Sequence, residues 1–172
     1  MVNMTGPHRA QEKQVFLYTE EQRKRRDNSI WTLIQGVLAP LQFLVFVVSL
    51  ALVVRYLLTG DGYGAATLSI LIKTAFLLTI MVTGAIWEKV VFGQYLFAPA
   101  FFWEDVFSFL VIALHLAYVW ALFTGALSPA EEMWLALAAY AAYVINAGQF
   151  LWKLRVARLQ AASTPRVEEA AA

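Results

Sequence analysis

Carboxylic acids, a lysine and large aromatic rings crowd one polar segment between two long apolar runs. The segment extends from Met81 to Ser108, and its acids are Glu88, Glu104 and Asp105. Charged groups beside hydrocarbon cost free energy, so a cluster of them predicts a functional site. A carboxylic acid held among apolar rings keeps its proton more readily and can donate it at neutral pH. These residue types therefore favour acid–base catalysis on a flat, apolar substrate.

Glu88 and Glu104 are the leading candidates for an acid/base pair, and Asp105 is the third catalytic candidate. Glu88 closes an apolar run, where the negative end of a helix dipole repels it. An acid in this position is explained by an interaction partner or by a functional role. Glu104 and Asp105 open the next run, where the dipole favours acids. The dipole alone would explain the presence of one of these two acids. Whether Glu104 or Asp105 is the functional residue therefore stays open.

Further residues that we expect to contact the substrate flank these acids or lie in the adjoining runs. They are Trp87, Lys89, Tyr95, Phe102, Trp103, Ser108, His115 and Lys73. Lys89 could instead stabilise a helix C-terminus or extend to lipid headgroups. Lys73 lies well inside an apolar run, where an ammonium needs a counter-charge, water or a substrate carboxylate. Pairing with a substrate and pairing with a neighbouring helix both remain open for Lys73.

His115 shares a helix face with Glu104. At about 100° per residue, the two lie within roughly 20° of each other around a helix, and Ser108 is on the same face. A neutral imidazole nitrogen can bind a metal, although a lone histidine can also be a satisfied core residue that bridges helices. The runs contain no second histidine at i+3 or i+4, so a zinc site is not expected.

Four apolar runs of membrane-spanning length must position these residues. The chain has 172 residues, of which 60% are hydrophobic, and a spanning helix needs about 20 mostly apolar residues. We predict an all-α integral membrane protein with four transmembrane helices in a bundle, at about 30–57, 63–90, 102–125 and 130–158. A polar basic segment, 1–28, precedes this transmembrane domain, 29–160, and a disordered tail, 161–172, follows it.

The distribution of charge predicts the orientation. Lys and Arg gather before the first span and after the fourth, and such residues favour the cytoplasmic side. Both termini, and with them the connection that carries the acids, are therefore expected to be cytoplasmic. The basic stretch 18–27 either forms a short surface helix that touches anionic headgroups or serves only as a topology signal. The net charge of +1 gives no reason to expect nucleic acid, and the absence of Cys excludes thiolate chemistry.

A long central block, MVTGAIWEKVVFG at 81–93 followed by YLFAPAFFWED at 95–105, has an unusual sequence. RRD (25–27), WT (31–32) and QGVLAPLQF (35–43) precede it, and AAY (138–140) and NAGQF (146–150) follow it. Together, over roughly residues 18–159, these stretches resemble the 3-vinyl bacteriochlorophyllide hydratases.

The resemblance implies a multi-pass lyase of bacteriochlorophyll a biosynthesis in the bacterial inner membrane, cytoplasmic or intracytoplasmic and photosynthetic. Such enzymes add water across the 3-vinyl group on ring A of chlorophyllide a or 3-vinyl bacteriochlorophyllide a, which gives a 3-(1-hydroxyethyl) product. The substrate carries its own magnesium, so no cofactor is expected. The implied partners are this magnesium tetrapyrrole and membrane lipid, and a homo-oligomer or a complex with other pigment-biosynthesis enzymes is open.

This reaction suits the acids. Protonation of the terminal vinyl carbon leaves positive charge on the adjacent carbon, where water attacks and a base removes its proton. On this hypothesis the tetrapyrrole lies between the second and third spans, with its propionate near a basic residue such as Lys89. His115 could then be an axial ligand to the substrate magnesium, unless water takes that place.

Two other classes of protein share some of these features. A membrane protein that binds or assembles a chlorophyll-type pigment without transforming it would also use His115 and the aromatic rings. It would not need several acids at one membrane edge. A small transporter would need a polar stripe through the whole bundle, whereas the first and fourth spans offer only amides. The clustering of the acids at one edge therefore favours the hydratase.

Overall fold

The computed structural model describes residues 17–163, with side chains for 17–160, so residues 1–16 and most of the predicted tail lie outside it. The helices are α1 (Glu20–Asp27), α2 (Ile30–Thr59), α3 (Tyr63–Phe92), α4 (Phe102–Thr124) and α5 (Pro129–Ser163). The described residues form no strand. Four of the helices, α2 to α5, are long and apolar enough to cross a membrane. The predicted all-α class with four long apolar helices is confirmed.

The long helices pack as neighbours along the chain and close into a bundle. Most interhelical contacts join α2 to α3 and α4 to α5, and α2 also packs against α5. Residues such as Ile70, Tyr118, Met133 and Tyr140 fill the core. Many large apolar side chains, among them Leu58 and Phe123, lie exposed on the outer surface. Soluble proteins rarely expose so much contiguous apolar surface, so this pattern is typical of contact with lipid.

The short basic helix α1 lies across the end of the bundle that carries the acids. A capping box between Thr19 and Gln22 starts it. Before it, the Tyr18 ring stacks on Phe92 of α3 at 5.7 Å between centroids, and the Arg26 guanidinium lies 4.7 Å from the Tyr18 ring centroid. Burial raises the pKa of the Tyr18 phenol above its ordinary value, although Arg26 opposes the shift. The phenol therefore stays protonated at neutral pH.

Gly93 ends α3 and starts the loop that covers the acids. Its φ of 88° is left-handed, and its N–H donates to the Lys89 carbonyl at 3.0 Å. Replacing Gly93 by Ala should lower the free energy of unfolding by about 1–2 kcal/mol, because a Cβ disfavours this backbone conformation. We expect the opposite for Gly148→Ala, which should raise the free energy of unfolding by about 0.5–1 kcal/mol.

Gly148 is the matched control because it lies inside α5, where an added Cβ meets no described atom within 4 Å. Unfolding of both variants would be followed by circular dichroism during a detergent titration from mild detergent to dodecyl sulfate. Equal shifts in the two midpoints would contradict a special backbone requirement at Gly93.

Candidate active site

The loop between α3 and α4, residues 93–101, folds over two of the predicted acids. The Phe97 N–H donates to Asp105 Oδ2 at 2.6 Å, and the next N–H, that of Ala98, donates to Glu88 Oε2 at 3.2 Å. Phe97 adopts a left-handed conformation with φ of 58°, which residues other than Gly seldom do. Such a conformation persists only where surrounding contacts impose it, which indicates that this loop is tightly held.

Glu88 and Asp105 form a carboxyl pair beneath this loop. Because consecutive loop N–H groups each bind one oxygen of these acids, the two carboxyl groups lie side by side, and only 5% of Glu88 and 3% of Asp105 is exposed. Two adjacent carboxyl groups away from water repel each other when both are ionised, so this arrangement favours a state in which one of them carries a proton. The pair can therefore hold a proton in an apolar environment at the end of the bundle.

Glu104 lies beside this pair but has a different direct partner. Its Oε2 is 3.5 Å from the ammonium of Lys153 on α5, and Lys153 also donates a hydrogen bond to the Ala100 carbonyl. Glu104 acts on Glu88 and Asp105 only through its charge. The structure therefore brings Glu88 into contact with Asp105, whereas the sequence had favoured Glu88 with Glu104.

Trp87 faces the interior of this end of the bundle. Its indole N–H donates to Thr32 Oγ1 of α2 at 2.9 Å, and its ring packs edge-on against Phe92 and Phe101. Phe101 in turn stacks on Phe150 of α5, with ring centroids 6.0 Å apart. These rings form an apolar wall beside the acids.

The other predicted aromatic contacts lie on the outer face of the loop. Tyr95, Phe102 and Trp103 are exposed, and Phe102 contacts both Trp103 and Phe97. Lys89 lies there as well, where its ammonium donates to the Gly93 carbonyl at 2.8 Å and sits 5.3 Å from the Tyr95 ring centroid. An exposed aromatic surface at this level suits the boundary between lipid and water.

His115 and Lys73 are distant from the acid pair. Asp105 and His115 are separated by about 15 Å along α4, and Glu88 and Lys73 by about 22 Å along α3. Both residues are fully buried. The Lys73 ammonium lies 4.0 Å from the Tyr143 ring centroid. The predicted residues thus fall into two groups: an edge site around the acid pair, and a mid-bundle cluster around Lys73 and His115.

The His115 side chain has a defined tautomer. Its Nδ1 lies 2.7 Å from the Val111 carbonyl and must donate to it, so in the neutral imidazole Nε2 is the unprotonated nitrogen. Nε2 is buried and has no hydrogen-bond partner among the described residues. The free nitrogen is of the type that binds a metal, yet the ring packs against Tyr140. No group of three His, Asp or Glu side chains suited to a metal occurs in the described part of the chain.

Ser108 connects α4 to α5 between the two groups. Its hydroxyl donates to the Glu104 carbonyl at 2.9 Å and accepts from the Asn146 amide at 2.9 Å. Glu104, Ser108 and His115 are all buried on α4, as their predicted common face requires. The side-chain carbonyl oxygen of Asn146 is buried without a hydrogen-bond partner in the described residues. One polar atom beside Ser108 can therefore still accept a hydrogen bond.

A family model described as 2-vinyl bacteriochlorophyllide hydratase matches residues 18–156, which include every residue of the edge site. The chain belongs to this family. A 2-vinyl bacteriochlorophyllide hydratase of Rhodobacter capsulatus is 78% identical over 148 residues, which cover 86% of this chain and 85% of the relative. A protein of the same name from Cereibacter sphaeroides is 74% identical over 154 residues, which cover 90% and 92% of the two chains. No solved structure matches the chain.

The predicted family is therefore confirmed, since 2-vinyl and 3-vinyl are two numberings of the same ring-A substituent. Two features of the edge site had no sequence prediction. Lys153 was one of several basic residues at the C-terminal end of the fourth predicted span, with nothing in the spacing to connect it to Glu104. The loop N–H groups of Phe97 and Ala98 carry no side-chain signal at all, although the Pro99 that follows them does indicate a non-helical connection.

Proposed function

We propose that the protein adds water across the ring-A vinyl group of a magnesium tetrapyrrole, either vinyl bacteriochlorophyllide a or chlorophyllide a, and forms the 1-hydroxyethyl product. Membership of the hydratase family supports the reaction. The observation that carries the choice of site is the buried pair Glu88 and Asp105, whose proximity favours one protonated and one ionised carboxyl group. A carbon–carbon double bond is a poor base, so hydration needs an acid held against it where water does not compete.

The pair can complete the reaction and return to its starting state. The protonated carboxyl gives its proton to the terminal vinyl carbon, whose π electrons form the new C–H bond. Both carboxylates are then ionised and stabilise the cation that spreads into the macrocycle. Water adds its oxygen to the adjacent carbon and loses a proton to the pair. Mutual repulsion between Glu88 and Asp105 favours recapture of that proton.

The remaining candidates have supporting roles in this proposal. Glu104 adds negative charge near the cation, and the rings of Trp87 and Phe101 offer apolar contacts to a macrocycle. Tyr95, Phe102 and Trp103 would guide the pigment from the lipid boundary, with Lys89 beside them. The magnesium arrives with the substrate, and the proposed steps need no cofactor of the protein.

We propose further that the edge site faces the cytoplasm. The basic residues Lys24, Arg25 and Arg26 of α1 lie at the same end of the bundle, and Arg155 and Arg158 follow Lys153 on α5. Both ends of the chain would then lie on the cytoplasmic side of the bacterial inner or intracytoplasmic membrane. The exposed apolar rows of α2 to α5 would contact lipid.

A turnover assay tests the proposed reaction. The protein would be expressed in a host that makes no tetrapyrrole pigment beyond haem, and its membranes would receive chlorophyllide a or vinyl bacteriochlorophyllide a. We expect a product heavier by one water, a red absorption band shifted to the blue, and incorporation of heavy oxygen from labelled water. Unchanged pigment with both substrates, in membranes that contain folded protein, would contradict the hydratase.

The free Nε2 of His115 favours one second function, which is pigment binding without turnover. The magnesium lies at the centre of the macrocycle, only one ring radius from the vinyl group. Ligation by His115 and hydration at the acid pair therefore describe two different positions of a pigment. Bound but unchanged pigment whose absorption shifts on His115→Phe would support the second function.

A further inference from the structure

A cavity of about 490 Å³ opens beside the edge site, between the residues just before α1, the covering loop and the end of α5. Its volume lies in the usual range for small-molecule pockets. Phe92 and Trp152 provide aromatic walls, and Pro99 and Val156 add apolar surface. Among its described lining residues the only ionisable side chain is Lys153. The cavity thus combines apolar walls with one positive charge.

The Lys153 ammonium keeps unused hydrogen-bonding capacity. An ammonium has three N–H donors. One is given to the Ala100 carbonyl, and Glu104 Oε2 lies 3.5 Å from the ammonium as an ion-pair partner without a hydrogen bond. The described residues offer no hydrogen-bond partner to the remaining donors, and 28% of the side chain remains exposed. The ammonium also lies 5.5 Å from the Phe101 ring centroid, so these contacts hold the charge in place.

Given the proposed hydratase function, on which this step rests, we infer that Lys153 binds the propionate carboxylate of the tetrapyrrole in this cavity. The substrate class matches the site, since it combines a flat apolar ring with a single carboxylate side chain. The propionate and the vinyl group are on adjacent rings of the macrocycle. Lys153 lies 3.5 Å from Glu104, the chain neighbour of Asp105, so a carboxylate held by Lys153 brings the macrocycle to the end of the bundle that holds the acid pair.

Lys153 is thus a substrate-binding residue that sets the register of the macrocycle. A lipid phosphate could also pair with an ammonium at a membrane edge. The observations favour the tetrapyrrole because the charge lies at one end of an aromatic-walled cavity and beside the acids, whereas a lipid headgroup requires only an exposed lysine.

The test compares chlorophyllide a with its propionate methyl ester, which differs only in lacking the negative charge. For the unmodified protein we expect KM to be roughly 10- to 100-fold lower for the acid than for the ester, the usual range for a hydrogen bond to a charged group. Lys153→Gln should raise KM for the acid by the same factor and leave the ester unchanged. Lys153→Arg should restore much of the preference. Arg155→Gln is the matched control, since Arg155 is exposed on the same helix outside the cavity lining.

Three results would overturn the inference. One is a Lys153→Gln protein that still prefers the acid. Another is a fall in kcat of equal size on both substrates, which would make Lys153 only a positioning residue for Glu104. The third is loss of the acid preference in nanodiscs rich in anionic lipid compared with zwitterionic ones, which would assign the site to lipid phosphate.

A second measurement separates this inference from the proposed reaction. Binding of each pigment, followed by quenching of tryptophan fluorescence in nanodiscs, needs no turnover. If the unmodified protein binds the acid more tightly than the ester yet hydrates neither, the reaction fails and the carboxylate site stands. If it hydrates both with equal affinity, the reaction stands and the carboxylate site fails. Unfolding midpoints of the Lys153 variants ensure that a folded protein is compared.

Discussion

Replacing Glu88 by Gln, or Asp105 by Asn, should lower the hydration rate by about 100- to 10,000-fold, the usual contribution of a positioned acid–base group. Either amide removes the proton that the pair can hold, because the remaining carboxyl group no longer has a carboxylate partner that holds its proton in place. Shape is conserved, and the amide oxygen can still accept the loop N–H from Ala98 or Phe97. The measurement is product formation at saturating pigment in membranes with equal amounts of folded protein.

Glu104→Gln is the matched control, since it makes the same chemical change at a buried acid outside the Glu88–Asp105 pair. We expect at most a roughly tenfold loss, which corresponds to about 1.4 kcal/mol of barrier, because Glu104 makes no described hydrogen bond to the pair and acts on it only through its charge. The double variant with Gln at 88 and Asn at 105 should be no slower than the worse single variant, because the two acids act as one unit.

Different outcomes would assign the acids differently. Full activity in both Glu88→Gln and Asp105→Asn would mean that the pair only supports the covering loop. A loss in Glu104→Gln as large as that in Glu88→Gln would favour the pair that the sequence analysis placed first. Additive losses in the double variant would indicate two independent roles, with one acid as donor and the other outside the proton transfer.

The long helices were predictable because the bilayer restricts the alternatives. A backbone in hydrocarbon must satisfy its own hydrogen bonds. A single apolar run long enough to cross the bilayer does so by forming a helix. The gathering of acids at one end was equally visible, since Glu88 stands where its helix dipole repels it. Both predictions depend only on the local sequence and on the properties of the bilayer, so they did not require the tertiary structure.

The partner of Glu88 was not predictable by the same means. Glu104 and Asp105 are consecutive, so on α4 they point about 100° apart. Which of them faces α3 depends on the rotation of α4 about its own axis. Packing within the bundle, mostly against α5, sets that rotation and buries residues such as Val111 and Tyr118. The proximity of Lys153 to Glu104 was unpredictable for a related reason, because only the packing of α5 in the bundle brings Lys153 to the level of Glu104.

Lys73→Met should raise the free energy of unfolding by about 1–4 kcal/mol, the range seen when buried ionic groups are replaced by apolar side chains. Lys73 has no exposed surface, and its ammonium has no hydrogen-bond partner among the described residues. The aromatic rings of Tyr143, Tyr140 and Phe46 surround it at 4.0, 5.4 and 6.0 Å. Cation–π contacts contribute about 2 kcal/mol when desolvated, less than the several kcal/mol that an ammonium loses on leaving water.

Lys89→Met is the control for this change, because Lys89 is exposed on the same helix and donates only to the Gly93 carbonyl. Its effect on stability should stay within about 0.5 kcal/mol. Tryptophan fluorescence during a dodecyl sulfate titration would measure both variants without pigment. A less stable Lys73→Met protein would show that the aromatic surroundings more than offset the cost of burial. A more stable Lys73→Met protein that binds pigment more weakly would instead connect the mid-bundle cluster to the substrate. In that case the protein retains the Lys73 ammonium, despite its cost to stability, because the ligand requires it.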